Sequence, residues 1–215
     1  MKIAVLGTGM VGKAIATKLV ALGHEVRMGS RKAGNEKAVA WVESAGALAS
    51  QGSFADAAAF GELAFLCTLG DAAKAVLEAA GPANLAGKPV VDVTNPLDFS
   101  KGMPPTLFVS NTDSLGEQLQ AAFPALHIVK SLNTMSAPVM VDPASVAGGE
   151  HDVFVSGNDA GAKAKVVELL KSFGWKSPID LGDITTARGT ESWLPLWLRL
   201  WGALGTPMFN LKIAR

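Results

Sequence analysis

The sequence is poor in the side chains on which several kinds of chemistry depend. Its 215 residues include one cysteine, three histidines and no tyrosine. A lone Cys67 excludes a disulfide within the chain and a zinc or iron–sulfur cluster built on cysteines. The histidines (His24, His127 and His151) are not at metal-ligand spacing, so we expect no metal site. Without tyrosine, the Tyr–Lys acid pair of short-chain reductases is also excluded.

The sequence also lacks an excess of charge of either sign, and its apolar runs are short. Lys plus Arg and Asp plus Glu both number 19, so the basic excess typical of nucleic-acid-binding proteins is missing. The apolar run at residues 3–6 is too short for a signal peptide, and the most apolar stretch, residues 193–204, is shorter than a membrane span. We therefore expect a cytoplasmic protein with neither nucleic acid nor membrane as a partner.

Apolar residues make up 49% of the chain, which is enough for one large domain with a small appendage. Predicted strands alternate with predicted helices, and several strands are continuous apolar runs, as in a parallel sheet covered on both faces. The sequence predicts an α/β fold, a Rossmann doubly wound, mostly parallel sheet with a small C-terminal helical segment. Strands are predicted at residues 2–6, 24–28, 45–49, 63–67, 88–93, 127–131, 152–156 and 179–181. Helices are predicted at residues 13–22, 36–44, 53–60, 71–80, 114–123, 159–173 and 183–205.

A glycine pattern follows the first predicted strand and precedes the first helix, with glycines at positions 7, 9 and 12. In a βαβ unit the first glycine permits a tight turn, the second lets the backbone approach a pyrophosphate, and the third lets helix and strand pack closely. The helix N-terminus adds unpaired N–H groups and a positive dipole end. We predict that a dinucleotide binds to Gly7, Thr8, Gly9, Met10, Val11 and Gly12.

The second strand ends in Gly29-Ser30-Arg31-Lys32, where an NAD-binding protein has an acid for the ribose hydroxyls. A hydroxyl and two cations suit a 2′-phosphate instead, because Ser30 donates a hydrogen bond, Arg31 offers a planar fork and Lys32 adds a point charge. The sequence therefore predicts NADP(H) as the cofactor.

Other predicted strands end in small hydroxyl and amide side chains, at the edge where such sheets bind ligands. We predict further cofactor contacts at Cys67, Thr68, Leu69, Asn95, Pro96 and Asn133. The substrate pocket is expected at Thr134, Met135, Ser136 and Trp193. No catalytic residue is predicted, because hydride transfer between two stacked heterocycles requires mainly proximity and orientation.

Tryptophans recur every four residues near the end of the chain, at Trp193, Trp197 and Trp201. Their helix is apolar nearly all round, which favours burial against the sheet or a second subunit. The alternative is that one indole forms a wall of the substrate pocket.

Three segments resemble the NADPH-dependent coenzyme F420 (F-420) reductase family, also called F420-dependent NADP oxidoreductase. They are MKIAVLGTGMVGKAIATKLVALGHEVRMGSRK, KSLNTMSAPVMVDP and RGTESWLPLWLRLWGALGTPMFNLKI. The resemblance implies a Rossmann domain, a small C-terminal helical portion, a homodimer, and hydride transfer between NADP(H) and a deazaflavin. It also implies that Thr8, Ser30 and Arg31 hold the phosphates of NADP and that Asn133 lines the nicotinamide pocket.

Together these patterns predict an NADP(H)-dependent oxidoreductase whose acceptor is a flat redox ring, F420 first among them. Residues 1–182 are expected to form the NADP-binding domain, and residues 183–215 a helical segment that contacts a second subunit or the substrate. The alternatives are a flavin or quinone reductase, an imine reductase of the pyrroline-carboxylate type, and a non-catalytic NADPH sensor.

Overall fold

The computed structural model describes residues 1–214, so the last position of the predicted C-terminal segment lies outside the described residues. The strands are β1 (Lys2–Leu6), β2 (Glu25–Ser30), β3 (Ala49–Ser53), β4 (Leu63–Leu66), β5 (Pro89–Asp92), β6 (Leu97–Asp98), β7 (Thr106–Leu107), β8 (His127–Ser131), β9 (Phe154–Gly157) and β10 (Ile179–Gly182). The α-helices are α1 (Met10–Ala21), α2 (Glu36–Ala45), α3 (Phe54–Phe60), α4 (Ala73–Ala80), α5 (Pro82–Leu85), α6 (Leu115–Ala122), α7 (Ala137–Val141), α8 (Ala160–Phe173), α9 (Ala187–Ser192) and α10 (Leu194–Leu204).

Eight strands form one sheet in the order β10-β9-β8-β5-β4-β1-β2-β3, and the central pairs are parallel. β9 runs antiparallel to β8, while β6 and β7 form a separate small hairpin. The predicted α/β architecture with a mostly parallel sheet is confirmed. From β1 the chain moves outward to β3 and then returns to place β4 on the other side of β1. The carboxyl ends of β1 and β4 therefore open a crevice, the switch point at which such sheets bind ligands.

The core lies on both faces of the sheet because the central strands are apolar on both. In β1, Ile3 and Val5 belong to one buried cluster, and Ala4 and Leu6 belong to the other. α1, α2 and α8 cover the first face, whereas α3, α4 and α6 cover the second. This double covering explains why the strands have continuous apolar runs instead of an alternating pattern.

The strand predicted at residues 45–49 is wrong, because β3 begins where that prediction ends. α2 continues to Ala45, and Gly46 with φ +90° ends it. β3 is the edge strand of the sheet, so half-exposed polar residues such as Ser50 and Gln51 are tolerated there. Its sequence therefore lacks the apolar run that marks the inner strands.

The predicted helix at residues 183–205 is divided into a 3-10 turn, α9 and α10. Pro195 falls in the first turn of α10, where its missing N–H costs no helical hydrogen bond. Burial of this helix is partial, since Trp197 is buried and Trp201 is 41% exposed. Trp197 packs against Phe209 with ring centroids 5.4 Å apart. Within residues 1–214, no helix has the length and apolarity needed to span a membrane.

Candidate functional site

Two glycines of the turn between β1 and α1 are required by the packing of the protein itself. Gly7 has φ +134°, and a Cβ there would lie 2.3 Å from the carbonyl oxygen of Cys67. A Cβ on Gly12 would lie 2.2 Å from the carbonyl oxygen of Gly7. The first glycine thus forms the turn, and the third lets α1 pack against it, as the motif predicts.

Gly9 meets a different requirement, because a Cβ at this position would meet no atom of residues 1–214 within 4 Å. Gly9 is the N-cap residue of α1, with φ −77° and ψ −176°, and it has no side chain to cap the helix. The open side of the turn therefore presents backbone amides at the positive end of a 12-residue helix. Such an arrangement can hold a pyrophosphate.

A cleft of about 650 Å³ joins this turn to the carboxyl ends of β2 and β4. Its volume is in the range of cofactor sites, and it lies at the switch point of the sheet. It is lined by Gly7, Thr8, Gly9, Met10, Val11, Ser30, Arg31, Asn35, Lys37, Phe54, Cys67, Thr68, Leu69, Ala72, Val76 and Val93.

Ten of the predicted cofactor residues line this cleft, and five do not. Those lining it are Gly7, Thr8, Gly9, Met10, Val11, Ser30, Arg31, Cys67, Thr68 and Leu69. Those outside its lining are Gly12, Lys32, Asn95, Pro96 and Asn133. Gly12 is engaged with Gly7, and Lys32 contributes its backbone carbonyl to the turn after β2.

Several lining residues were not predicted from the sequence, and Asn35 and Lys37 are the polar ones among them. Asn35 is the N-cap of α2, and its side-chain oxygen accepts from the amides of Lys37 and Ala38. An asparagine directly before a predicted helix is a recognisable capping signal, so this residue could have been found. Apolar lining residues such as Phe54 and Val76 have no such signal, because the same residue types fill the core.

The corner of the cleft at the end of β2 is cationic. Arg31 and Lys37 are both exposed, and neither forms an ion pair with a carboxylate of residues 1–214. No acidic side chain lines the cleft in this part of the chain. The Ser30 hydroxyl is buried and donates to the carbonyl oxygen of Lys32 at 2.6 Å, so it closes the turn that presents Arg31. The free guanidinium and ammonium groups supply the charge that a 2′-phosphate requires.

Thr68 and Cys67 form the opposite wall, at the end of β4. The Thr68 Oγ1 atom is buried and has no hydrogen-bond partner among the described residues. A polar atom that is buried without a partner costs free energy, which a hydroxyl or phosphate oxygen of a bound dinucleotide would recover. Burial, reinforced by the charge of Asp92, raises the pKa of the Cys67 thiol, so this group stays neutral and is no nucleophile. The uncapped helix, the cationic corner and this hydroxyl fit NADP(H).

The amides of Asn95 and Asn133 bond to each other instead of facing the cleft. Asn95 Nδ2 donates to the Asn133 carbonyl oxygen at 2.8 Å, and Asn133 Nδ2 donates to Asn95 Oδ1 at 2.9 Å. These bonds join the loops that follow β5 and β8. The pair therefore fixes the edge of the sheet beside the cleft.

A second cavity of about 380 Å³ lies beyond the end of β8. Two predicted substrate residues line it and also contact each other, since Trp193 Nε1 donates to the carbonyl oxygen of Thr134 at 3.2 Å. The other two do not, because Met135 is buried in the core and Ser136 is the N-cap of α7. The lining residues are Thr134, Phe154, Leu181, Gly189, Thr190, Ser192, Trp193 and Leu211.

A parallel sheet with a phosphate-binding turn at its switch point defines a Rossmann-type dinucleotide-binding protein. Residues 2–96 match the family described as NADP oxidoreductase, coenzyme F420-dependent. The crystal structure of a candidate F420-dependent NADP-reductase from Arthrobacter sp. FB24 is 58% identical, with both chains covered in full and a TM-score of 0.96. The chain belongs to the family of coenzyme F420-dependent NADP oxidoreductases.

Two curated relatives extend the comparison. The F420-dependent NADP reductase of Methanothermobacter marburgensis is 29% identical over 211 residues, which cover 93% of this chain and 92% of that protein. Metalloreductase STEAP3 of Rattus norvegicus is 31% identical over 202 residues, which cover 92% of this chain and 37% of that protein. This chain thus spans little more than a third of the length of STEAP3. Family membership makes it an NADP-dependent oxidoreductase.

Proposed function

We propose that this chain transfers a hydride directly between NADPH and the deazaflavin coenzyme F420. The observation that carries the proposal is the pair of cavities at one edge of the sheet, one cationic and the other mainly apolar. Residues 1–182 would form the NADP-binding domain, and residues 183–215 would complete the acceptor side. The match to a family described as F420-dependent supports this acceptor over other flat rings.

The residues of the first cleft would bind and orient the cofactor. The amides at Gly9 would hold the pyrophosphate, while Arg31 and Lys37 would hold the 2′-phosphate. Bound NADPH supplies the hydride. The cleft within residues 1–214 has no histidine, carboxylate or tyrosine in its lining, and its Cys67 thiol is neutral. The protein's contribution would therefore be to hold the two rings close together in the right orientation.

The second cavity offers flat apolar walls for the acceptor. The Trp193 indole is held by its hydrogen bond to Thr134, which leaves its ring to pack against a planar partner. Phe154 and Leu211 add apolar surface in the same cavity. An aromatic ring system suits this lining better than a small charged substrate does.

We also propose a homodimer, on the strength of an unpartnered apolar face on α10. Leu196, Trp201 and Leu204 are 52%, 41% and 56% exposed in the single chain. Apolar surface of this kind commonly marks a protein interface.

A cytoplasmic location stays a prediction from the single cysteine, which suits a reducing compartment.

The proposed acceptor is tested by mixing the purified protein and NADPH with F420, a flavin or a quinone, and following the absorbance of reduced nicotinamide. We expect oxidation of NADPH with F420. Preferential turnover with flavin or quinone would replace this acceptor, and tight NADPH binding without turnover would support a sensor. Reduction of a cyclic imine alone would favour the pyrroline-carboxylate type.

A pair of variants tests the acceptor cavity. Trp193→Ala removes a cavity wall and should raise the KM for F420 by about tenfold, because that wall positions the ring, with little change for NADPH. Phe60→Ala is the control for loss of an aromatic ring, since Phe60 packs against Lys2 and lines neither cavity. Equal effects of the two substitutions would remove the role given to Trp193.

A further inference from the structure

A buried ionic network lies behind both cavities, centred on Lys130 of β8. The Lys130 ammonium nitrogen lies 2.7 Å from Asp92 Oδ2 and 2.8 Å from Glu191 Oε1. It also donates to the carbonyl oxygen of Thr94 at 2.8 Å. Two carboxylate oxygens and one carbonyl oxygen therefore surround the ammonium group. Lys130 is fully buried and lines neither cavity, so it does not touch a ligand bound in either of them.

One arm of the network shapes the cofactor cleft. Asp92 ends β5, and its Oδ1 atom accepts from the amide of Thr94 at 2.9 Å and from the Thr94 hydroxyl at 2.6 Å. Lys130 holds the same turn through the Thr94 carbonyl. The residue inside the turn is Val93, which lines the cleft. The position of this wall thus depends on the network.

The other arm reaches the second cavity through α9. Glu191 accepts from the amides of Leu115 at 2.7 Å and Gly116 at 2.9 Å, which are the first two residues of α6. Two residues later, Trp193 donates to the Thr134 carbonyl and lines the second cavity. One carboxylate therefore ties the C-terminal segment to the sheet next to the proposed acceptor wall.

Burying three charged groups costs desolvation free energy, so a gain in stability does not by itself explain this network. Burial disfavours the charge on Lys130, yet the two carboxylates outweigh it and hold the pKa of the ammonium above its ordinary value. Apolar residues of similar volume commonly replace a buried ion pair with no loss of stability. What an ionic network adds is directional bonding, which fixes relative positions.

We propose that Lys130, together with Asp92 and Glu191, is a positioning residue that sets Val93 and Trp193 relative to each other. It thereby aligns the wall of the cofactor cleft at Val93 with the proposed acceptor wall at Trp193. The acceptor half of this inference rests on the proposed function, whereas the cofactor half does not. A displacement of the reacting rings by about 1 Å lowers the rate by as much as a hundredfold, so alignment of this kind has a large effect.

The first test compares Glu191→Gln with Glu117→Gln. Glu117 pairs with Arg188 and joins the same two helices, α6 and α9, without touching Lys130. Both substitutions should lower Tm. Only Glu191→Gln should change the fluorescence emission of bound NADPH and lower kcat/KM for the acceptor, by about 10- to 100-fold. Affinity for adenosine 2′,5′-bisphosphate, which carries no nicotinamide, should stay unchanged in both.

The triple variant D92N/K130M/E191Q separates positioning from stability, because it removes the cation and both of its carboxylate partners together and leaves no buried charge unpaired. Normal nicotinamide emission in this variant, or equal emission changes in Glu191→Gln and Glu117→Gln, would overturn the proposal. If the wild type shows no turnover with F420, the proposed acceptor fails, yet the emission and adenosine bisphosphate measurements still decide the positioning role.

Hydrogen exchange tests the network in the wild-type protein, so this measurement does not depend on whether a variant folds. A preformed network should already protect the amides of Thr94, Leu115 and Gly116 when no cofactor is bound, because each donates to a buried carboxylate. Fast exchange at these three amides would show that the network is not formed in the free protein and would overturn the proposal.

Discussion

The three glycines of the first turn differ in what surrounds them. A side chain at Gly7 or Gly12 would overlap a backbone carbonyl of the protein, whereas one at Gly9 would project into open space. Only Gly9 is therefore free to serve a ligand. The same reasoning separates Arg31, whose side chain forms no ion pair with any of residues 1–214, from Ser30, whose hydroxyl is used to close the turn.

Gly9→Val should fold and lose cofactor affinity. Its backbone angles suit valine, and the new Cβ meets no protein atom, so Tm should change little. The branched side chain would occupy the pyrophosphate space and weaken NADP⁺ binding by about tenfold or more, measured by calorimetry. Gly12→Val is the contrasting variant, since its Cβ would overlap the Gly7 carbonyl and destabilise the fold. Undiminished binding by a folded Gly9→Val protein would make the turn purely structural.

At the residue level, the sequence predicts those site residues that belong to short, contiguous motifs. The glycine spacing and the missing acid after β2 both belong to short segments, and the residues they indicate line the cleft, with Gly12 and Lys32 as exceptions. Asn95 and Asn133 are distant in sequence, so nothing local predicts that their amides bond to each other. The position of Val93 is also not predictable from local sequence, because the turn that contains it is held by Lys130 from another strand.

At the scale of elements, helix ends show how the C-terminal segment is attached. The amide of Leu115 at the N-terminus of α6 donates to Glu191 of α9. Glu117, in the first turn of α6, pairs with Arg188, which also belongs to α9. Hydrogen bonding from Arg188, aided by Ser114, holds the pKa of the Glu117 carboxyl below its ordinary value. This junction therefore gains stability from an ionised carboxylate.

Glu117→Gln should make the Tm of the protein less dependent on pH. A carboxyl whose pKa is lowered by folding stabilises the protein above its unfolded pKa, about 4.3, and this contribution disappears as pH falls through the folded value. The wild type should thus exceed the variant in Tm at neutral pH, by roughly 2–4 °C. The difference should close in acid, as followed by thermal melts across pH 3–7 in steps of about one unit. A constant difference at every pH would exclude this source of stability.

The elements that the sequence predicts well are those buried in the sheet. β1, β4 and β5 have apolar runs because both faces are covered. β3 and the hairpin of β6 and β7 are polar or very short, so composition does not distinguish them from loops. The preference for right-handed crossovers limits the possible topologies without determining the strand order, and no local pattern predicts that β9 runs antiparallel to β8.

For the whole molecule, the sheet brings sequence-distant loops to one edge. The cofactor cleft uses residues before position 94, and the second cavity uses residues after position 133. The family match covers residues 2–96, which is the portion that forms the first cleft. The second cavity thus depends on the rest of the chain, and the buried network around Lys130 is one of the contacts that join that part to β5.

The cationic corner at the end of β2 should make the protein selective for NADP(H) over NAD(H). Calorimetric titration of the wild type and Arg31→Ala with NADP⁺ and NAD⁺ measures this selectivity, with Lys165→Ala as a control for lost charge away from the cleft. We expect the wild type to prefer NADP⁺ by about a hundredfold, and Arg31→Ala to weaken NADP⁺ by about tenfold while leaving NAD⁺ unchanged. Equal affinity of the wild type for the two nucleotides, or an equal loss for both in Arg31→Ala, would contradict the account.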